Sequence, residues 1–156
     1  KRNNKPNTMI HVENQSTIYI PRQNVKKYIK QIFVILKVNP KTDISIKFVD
    51  EKEMQSLHIK WMNLDGPTDV MSFPMDNLKL SSGKIGKAGL LGDIVICPQV
   101  ALQDAIKAND NPAKHLVFLI VHGVLHLHGL DHQVRADKGI MQEYEQRIMK
   151  SLKAIK

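Results

Sequence analysis

The feature that most constrains the fold is one apolar segment, AKHLVFLIVHGVLHLHG, at residues 113–129. Apolar residues would occupy nearly every side of the helix that it forms, so other elements must surround that helix in the core. Pro112 suits the first turn of such a helix, and Gly129 can end it in the left-handed conformation. The sequence therefore predicts one central helix covered by the rest of the chain.

The remaining segments predict short strands and amphipathic helices, with no linker long enough to divide the chain. Two early strands are expected in TMIHVENQ and STIYIP, either separately or as a hairpin. Further strands are expected in DISIKFVD, around VMSFP and at 91–97. Helices are expected at 22–38, after Asp50, from Pro98 to about 108 and at 136–153. We expect an α+β fold in a single domain over residues 9–156, with a small mixed sheet of four to five strands and about five helices. Residues 1–8 are polar, and we expect them to be flexible.

Four of the seven histidines lie in HGVLHLHGLDH, residues 122–132. His122 and His126 are four residues apart, so both project from one face of the central helix. If the chain reverses at Gly129, His132 returns to that face, and HxxxHxxGxxH offers three imidazoles to one ion. An open fourth position is typical of catalytic Zn²⁺ sites rather than structural ones. Imidazoles also suit Ni, Cu and Fe, so the native metal stays open.

Two other histidines, one before this segment and one inside it, are not among the three proposed ligands. His115, seven residues before His122, can line the same helix face. His128 is two residues after His126, so we expect it to point to another side, where it is either exposed or supports the site from outside the ligand set.

The spacing of the three histidines also matches the metzincin proteases, but one residue differs. In those proteases a Glu, the general base of peptide hydrolysis, follows the first His. The residue here is Gly123, which can transfer no proton. Asp131 is the nearest carboxylate; it can act as a base or orient an imidazole, and we favour the second role because the Asp adjoins a ligand.

The net charge of +8 is concentrated near the beginning of the chain. Residues 1–47 carry ten basic and two acidic residues, whereas residues 48–156 carry thirteen of each. A basic stripe on the helix at 22–38 comprises Arg22, Lys26, Lys30 and Lys37. Such a segment suits a polyanion such as RNA, and a solvated helix face is the alternative.

Cys97 is the single cysteine, so the chain can form no internal disulfide, which fits a reducing compartment. No apolar run reaches the roughly 18 residues expected of a membrane-spanning helix. We therefore expect a cytoplasmic protein without a membrane partner.

Three segments together resemble a known family. HGVLHLHGLDH is similar to the HGxLHLxGYDH signature of the bacterial YbeY proteins, GPTDVMSFPMD resembles their PTDVLSFP-like segment, and LLGDIVIC resembles their GDI-type strand. The resemblance extends over about residues 9–150. It implies a single-strand-directed, metal-dependent endoribonuclease that matures the 3′ end of 16S rRNA and acts in ribosome quality control, with the small ribosomal subunit as partner.

The resemblance also implies roles for particular residues. It implies one Zn²⁺ at His122, His126 and His132, and it makes Thr68 and Ser72 candidates to bind phosphate or order water. Turn and strand hydroxyls bonded to the backbone are the alternative for Thr68 and Ser72.

Two positions depart from the family pattern. Leu130 replaces the Tyr of the first signature, and Met62 stands where many members carry an Arg that is thought to help bind phosphate. The missing Arg and the missing Glu at Gly123 both give weight to a second hypothesis, a non-catalytic, zinc-containing ribosome-assembly factor that binds rRNA or a ribosomal protein.

Overall fold

The computed structural model describes residues 9–62, 68–81, 83–131 and 134–154. The predicted flexible segment at 1–8 and the predicted ligand His132 lie outside these ranges. In chain order the elements are β1 (Ile10–Asn14), α1 (Arg22–Leu36), β2 (Asp43–Phe48), α2 (Glu51–Met62), β3 (Val70–Pro74), β4 (Leu90–Ile96), α3 (Pro98–Lys107), α4 (Pro112–Leu127) and α5 (Arg135–Ala154).

The described strands form one four-stranded mixed sheet in the order β1-β2-β4-β3. β1 and β4 both pair with β2 in parallel, and β3 pairs with β4 antiparallel. Together with the five helices found in the described ranges, this confirms the predicted α+β fold. None of the described helices combines the length and hydropathy needed to cross a bilayer.

The two faces of the sheet carry different cores. Because side chains alternate along a strand, Ile94 and Ile96 of β4 point to one face and Val95 to the other. The first face packs against α1, α4 and α5 in the main core, whereas Val95 joins a smaller cluster with Met54 of α2. The large core therefore lies on the side of the sheet that carries α4.

Helix α4 is the buried centre of the fold, as its sequence predicts. The Asn111 side chain accepts a hydrogen bond from the backbone N–H of Lys114 at 3.1 Å, and Pro112 occupies the first helical position. Gly123 lets the helix come close to β4, because a Cβ at this position would lie 2.9 Å from Cδ1 of Ile94. This approach fixes the backbone on both sides of Gly123, including that of His122 and His126.

The predicted strand in STIYIP is wrong, and with it the hairpin. Residues 15–20 form no strand. The Asn14 carboxamide oxygen accepts hydrogen bonds from the backbone N–H and hydroxyl of Ser16, and its Nδ2 donates to the carbonyl of Ile18. Asn side chains favour turns by making such local bonds, which outweigh the β-branched composition of the segment.

Asp50 directly precedes α2, and its carboxylate forms hydrogen bonds with residues outside that helix. Its Oδ1 accepts hydrogen bonds from the backbone N–H of Thr17 at 2.9 Å and from the side chain of Gln99. These bonds lower the pKa of the Asp50 carboxyl from its ordinary value, the Thr17 backbone bond contributing most. Asp50 therefore ties the loop after β1 to the start of α3.

Candidate metal centre

His122 and His126 meet on the partly exposed face of α4. Their Nε2 atoms lie 3.1 Å apart, and the rings make an edge contact with centroids 4.6 Å apart. Two nitrogen ligands of a tetrahedral Zn²⁺ lie about 3.3 Å apart when each Zn–N bond is about 2.0–2.1 Å. The observed spacing fits shared coordination by the two imidazoles, and both residues keep some access to solvent.

The chain beyond α4 turns toward α5 through the segment that contains Asp131. Gly129 has φ +93, the left-handed region that the sequence predicts for the end of the helix. The backbone N–H of Asp131 donates to Oδ2 of Asp137 at 3.2 Å, and the carbonyl of Asp131 accepts from the N–H of Val134 at 3.0 Å. These hydrogen bonds hold Asp131 against the first turn of α5. The predicted third ligand, His132, follows immediately and lies outside the described residues.

Glu145 of α5 is a site residue that the sequence analysis missed. Its Oε2 lies 2.7 Å from Nδ1 of His122, and the two side chains are 12% and 18% exposed. A signal was present, because Glu145 interrupts the buried stripe of an amphipathic helix. Met141, Ile148 and Leu152 are the buried apolar members of that stripe. An acidic residue among them needs a polar partner inside the fold.

A row of rings continues from the histidine pair toward the beginning of α4. Phe118 stacks against His122 with centroids 5.9 Å apart and against His115 at 6.5 Å. His115 therefore lines the same face as His122, as its spacing predicts.

His115 also belongs to a group of potential metal ligands that the sequence analysis did not assemble. One ligand atom each from Asp69, Asp104 and His115 lie within 4.8 Å of one another. Burial raises the pKa of the Asp69 carboxyl, and the charge of Asp104 adds to the shift. The three come from the loop before β3, from α3 and from α4, so only the folded chain brings them together. Carboxylate oxygens and an imidazole nitrogen are ligands that divalent cations accept.

Thr68 and Ser72 flank the start of β3 and are partly buried. Ser72 pairs with Ile94 across the antiparallel ladder, so its side chain points to the sheet face that α4 covers. Thr68 precedes the strand, next to Asp69. Their roles in phosphate or water binding stay predictions.

The exposed position predicted as one possibility for His128 is wrong. The residue is 5% exposed, and its Nδ1 lies 3.2 Å from the carbonyl oxygen of Val124. Burial, with a smaller effect from the charge of Lys79, lowers the pKa of His128 to about 4. The spacing of the histidines gives only the direction in which the His128 side chain points. In the fold the segment around Leu78 and Leu80 packs beside the end of α4, so this side of the helix is covered.

The basic stripe lies on α1 and just beyond it. Arg22, Lys30 and Lys37 are exposed and Lys26 is partly exposed. Lys37 follows the helix with φ +57 and caps it, because its N–H donates to the carbonyl of Val34 at 3.2 Å. Binding of RNA by the stripe stays a prediction.

Comparison with known proteins gives a consistent set of relatives. The family model described as endoribonuclease YbeY matches residues 10–153. A protein named endoribonuclease YbeY from Thermobifida fusca is 42% identical to this chain over 124 residues, covering 79% of this chain and 80% of the relative. Another of the same name from Renibacterium salmoninarum is 38% identical over 143 residues, covering 91% of each. One from Bifidobacterium longum subsp. infantis is 50% identical over 97 residues, which is 62% of this chain and about half, 53%, of that relative.

The fold has a solved counterpart. The solution structure of TM1509 from Thermotoga maritima matches with a TM-score of 0.64 at 23% identity, covering 91% of this chain and 87% of that one. This likeness supports the α+β architecture. Because the family model spans nearly all of the described fold and the Renibacterium relative aligns over nine tenths of both chains, this chain belongs to the endoribonuclease YbeY family.

Proposed function

We propose that the chain is a metal-dependent endoribonuclease that cleaves single-stranded rRNA at the 3′ end of 16S rRNA and acts in ribosome quality control. The observation that carries the proposal is the pair of Nε2 atoms 3.1 Å apart on a partly exposed face of α4. The names of the relatives supply the substrate class. The proposal includes the small ribosomal subunit as partner and a cytoplasmic location, where bacterial ribosomes are assembled.

One Zn²⁺ held by His122, His126 and His132 would complete the site. The bound ion supplies Lewis-acid polarisation of a phosphoryl oxygen, or a water of lowered pKa. His122 and His126 contribute through Nε2, and α4 holds their backbone in place by its close contact with β4. Gly123 lies between them where metzincins have their base, so the chain lacks the proton carrier of that protease mechanism.

The other predicted site residues would act on the RNA and on the ligands. Thr68 and Ser72 would donate hydroxyl hydrogen bonds to a phosphate oxygen or to the attacking water. Asp131, whose backbone is fastened to α5, would orient a histidine or accept a proton. Arg22, Lys26, Lys30 and Lys37 would bind the RNA backbone without sequence preference, and such binding weakens steeply with added salt.

The test compares three preparations of the full chain on a fragment that contains the 3′ end of 16S rRNA. They are the parent protein loaded with Zn²⁺, the same protein after chelation, and His126→Ala. His11→Ala serves as the matched control, because His11 lies on β1 and bonds Asp43 at 3.2 Å instead of joining the pair. We expect cleavage by the parent and by His11→Ala, loss in the other two, and recovery of the chelated sample when Zn²⁺ is restored.

Two outcomes would contradict this proposal. Cleavage that persists unchanged after chelation and in His126→Ala would show that the metal is not required. RNA binding without any metal-dependent cleavage would favour the assembly factor, a candidate that Met62 supports because it stands in place of the family Arg.

A further inference from the structure

We propose that Glu145 is a positioning residue that holds the His122 ring in the orientation and tautomer in which Nε2 can bind the metal. The proposal rests on the metal site of the proposed function and adds a residue outside its ligand set. The two side chains come from α4 and α5, twenty-three residues apart in sequence, and meet at 2.7 Å. This distance is short for a nitrogen–oxygen hydrogen bond, as expected when the acceptor is charged.

The contact determines which nitrogen of His122 carries the hydrogen. An ionised carboxylate can only accept, so Nδ1 of His122 must donate to Oε2 of Glu145. In the neutral imidazole this leaves the lone pair on Nε2. That atom faces Nε2 of His126 at 3.1 Å. Glu145 therefore leaves unprotonated the nitrogen that lies at the shared position.

Burial strengthens this effect. The Glu145 side chain is 12% exposed and that of His122 is 18% exposed, so water competes weakly for either group. Glu145 also lies on the stripe of α5 that includes Met141 and Ile148, both fully buried. The packing of α5 against α4 thus restricts the movement of the Glu145 carboxylate. Because the carboxylate is hydrogen-bonded to Nδ1 of His122, the orientation of the imidazole ring is restricted as well.

The alternative is that the hydrogen bond between Glu145 and His122 only joins α5 to α4 and has no effect on metal binding. The two explanations differ in metal affinity and in the His122 tautomer, neither of which depends on nuclease activity. Loss of a carboxylate that orients a ligating histidine typically weakens metal binding by roughly 10–100-fold.

The experiment measures Zn²⁺ affinity by competition with a chromophoric chelator for the parent, Glu145→Ala, Glu145→Gln and Glu143→Ala. Glu143 is the matched control, because it is exposed on the same helix. We expect a loss of roughly 10–100-fold in Glu145→Ala and no change in Glu143→Ala. Glu145→Gln should lose less, since its amide oxygen can still accept from Nδ1, and it serves as the second variant if Glu145→Ala folds poorly.

Nitrogen NMR of the metal-free proteins supplies the second readout. The parent should carry the hydrogen on Nδ1 of His122, and Glu145→Ala should shift population to the Nε2–H tautomer. Parent-like affinity in both Glu145 variants, or an unchanged tautomer in Glu145→Ala, would overturn the inference. A parent that binds Zn²⁺ tightly but cleaves no RNA would refute the nuclease and leave the inference standing, whereas a parent that binds no metal would refute both.

Discussion

Replacing Gly123 by Ala tests how closely α4 must approach the sheet. The new methyl group would lie 2.9 Å from Cδ1, 3.1 Å from Cγ2 and 3.2 Å from Cγ1 of Ile94. Ile94 is fully buried and has little freedom to move away. Overpacking of this kind costs about 1–3 kcal/mol. Ala regains about 1 kcal/mol over Gly in a helix interior, so we expect a net loss of about 1 kcal/mol.

Gly139→Ala is the matched control for this substitution. Gly139 lies inside α5, and nothing stands within 4 Å of the Cβ it would gain. The same replacement there should stabilise the protein by about 1 kcal/mol through helix propensity alone. The two variants should therefore differ by about 2 kcal/mol in the free energy of unfolding, measured by denaturant titration of the metal-free protein near neutral pH. A stabilising Gly123→Ala would refute the close-approach argument.

A double variant isolates the contact itself. Ile94→Val removes Cδ1, the atom nearest to the new methyl group, and alone should cost about 1 kcal/mol. Combined with Gly123→Ala it should remove the shortest of the three contacts. The double variant should therefore be more stable than the sum of the single effects by up to about 1 kcal/mol. Simple additivity would mean that the helix shifts as a whole instead of pressing on Ile94. The same contact leaves no room for a glutamate in place of Gly123.

Three further predictions concern pH, backbone strain and RNA binding. Burial lowers the pKa of His128 from 6.5 to about 4 in the folded protein. The folded state is therefore fully stable with respect to this group above pH 6.5, and it loses stability as the pH falls from 6.5 to 4, where the buried ring takes up a proton. At about 1.4 kcal/mol for each pKa unit, the loss is about 3 kcal/mol in the free energy of unfolding. Denaturant titrations across this range should show a weaker pH dependence in His128→Gln, and an equal one would contradict the assignment. Gly92 has φ +145, and a Cβ there would lie 2.3 Å from the carbonyl oxygen of Phe73. Gly92→Ala should therefore lower the free energy of unfolding by about 3 kcal/mol or more, measured by thermal or denaturant unfolding. A near-neutral result would refute the strain argument. Lys30→Gln should reduce the slope of log affinity for single-stranded RNA against log salt by up to about 0.7, whereas Lys150→Gln on α5 should leave it unchanged; equal slopes in both would remove Lys30 from the RNA contact.

The sequence determined the features that depend on neighbours along the chain. The apolar run at 113–129 predicted the buried helix, Pro112 and Gly129 predicted its ends, and the four-residue spacing predicted that His122 and His126 share a face. These features follow from helical periodicity and backbone conformation, which are local properties. The α+β class followed in the same way from alternating strand and helix patterns.

The tertiary structure decided everything that depends on where separate segments pack. It made β1 a parallel partner of β2 rather than half of a hairpin, buried His128, and brought Glu145 to Nδ1 of His122. It also gathered Asp69, Asp104 and His115 from three elements. Side chains that meet across the core leave no periodic signal in the sequence, because their distance is set by the packing of helices on the sheet and not by the number of residues between them.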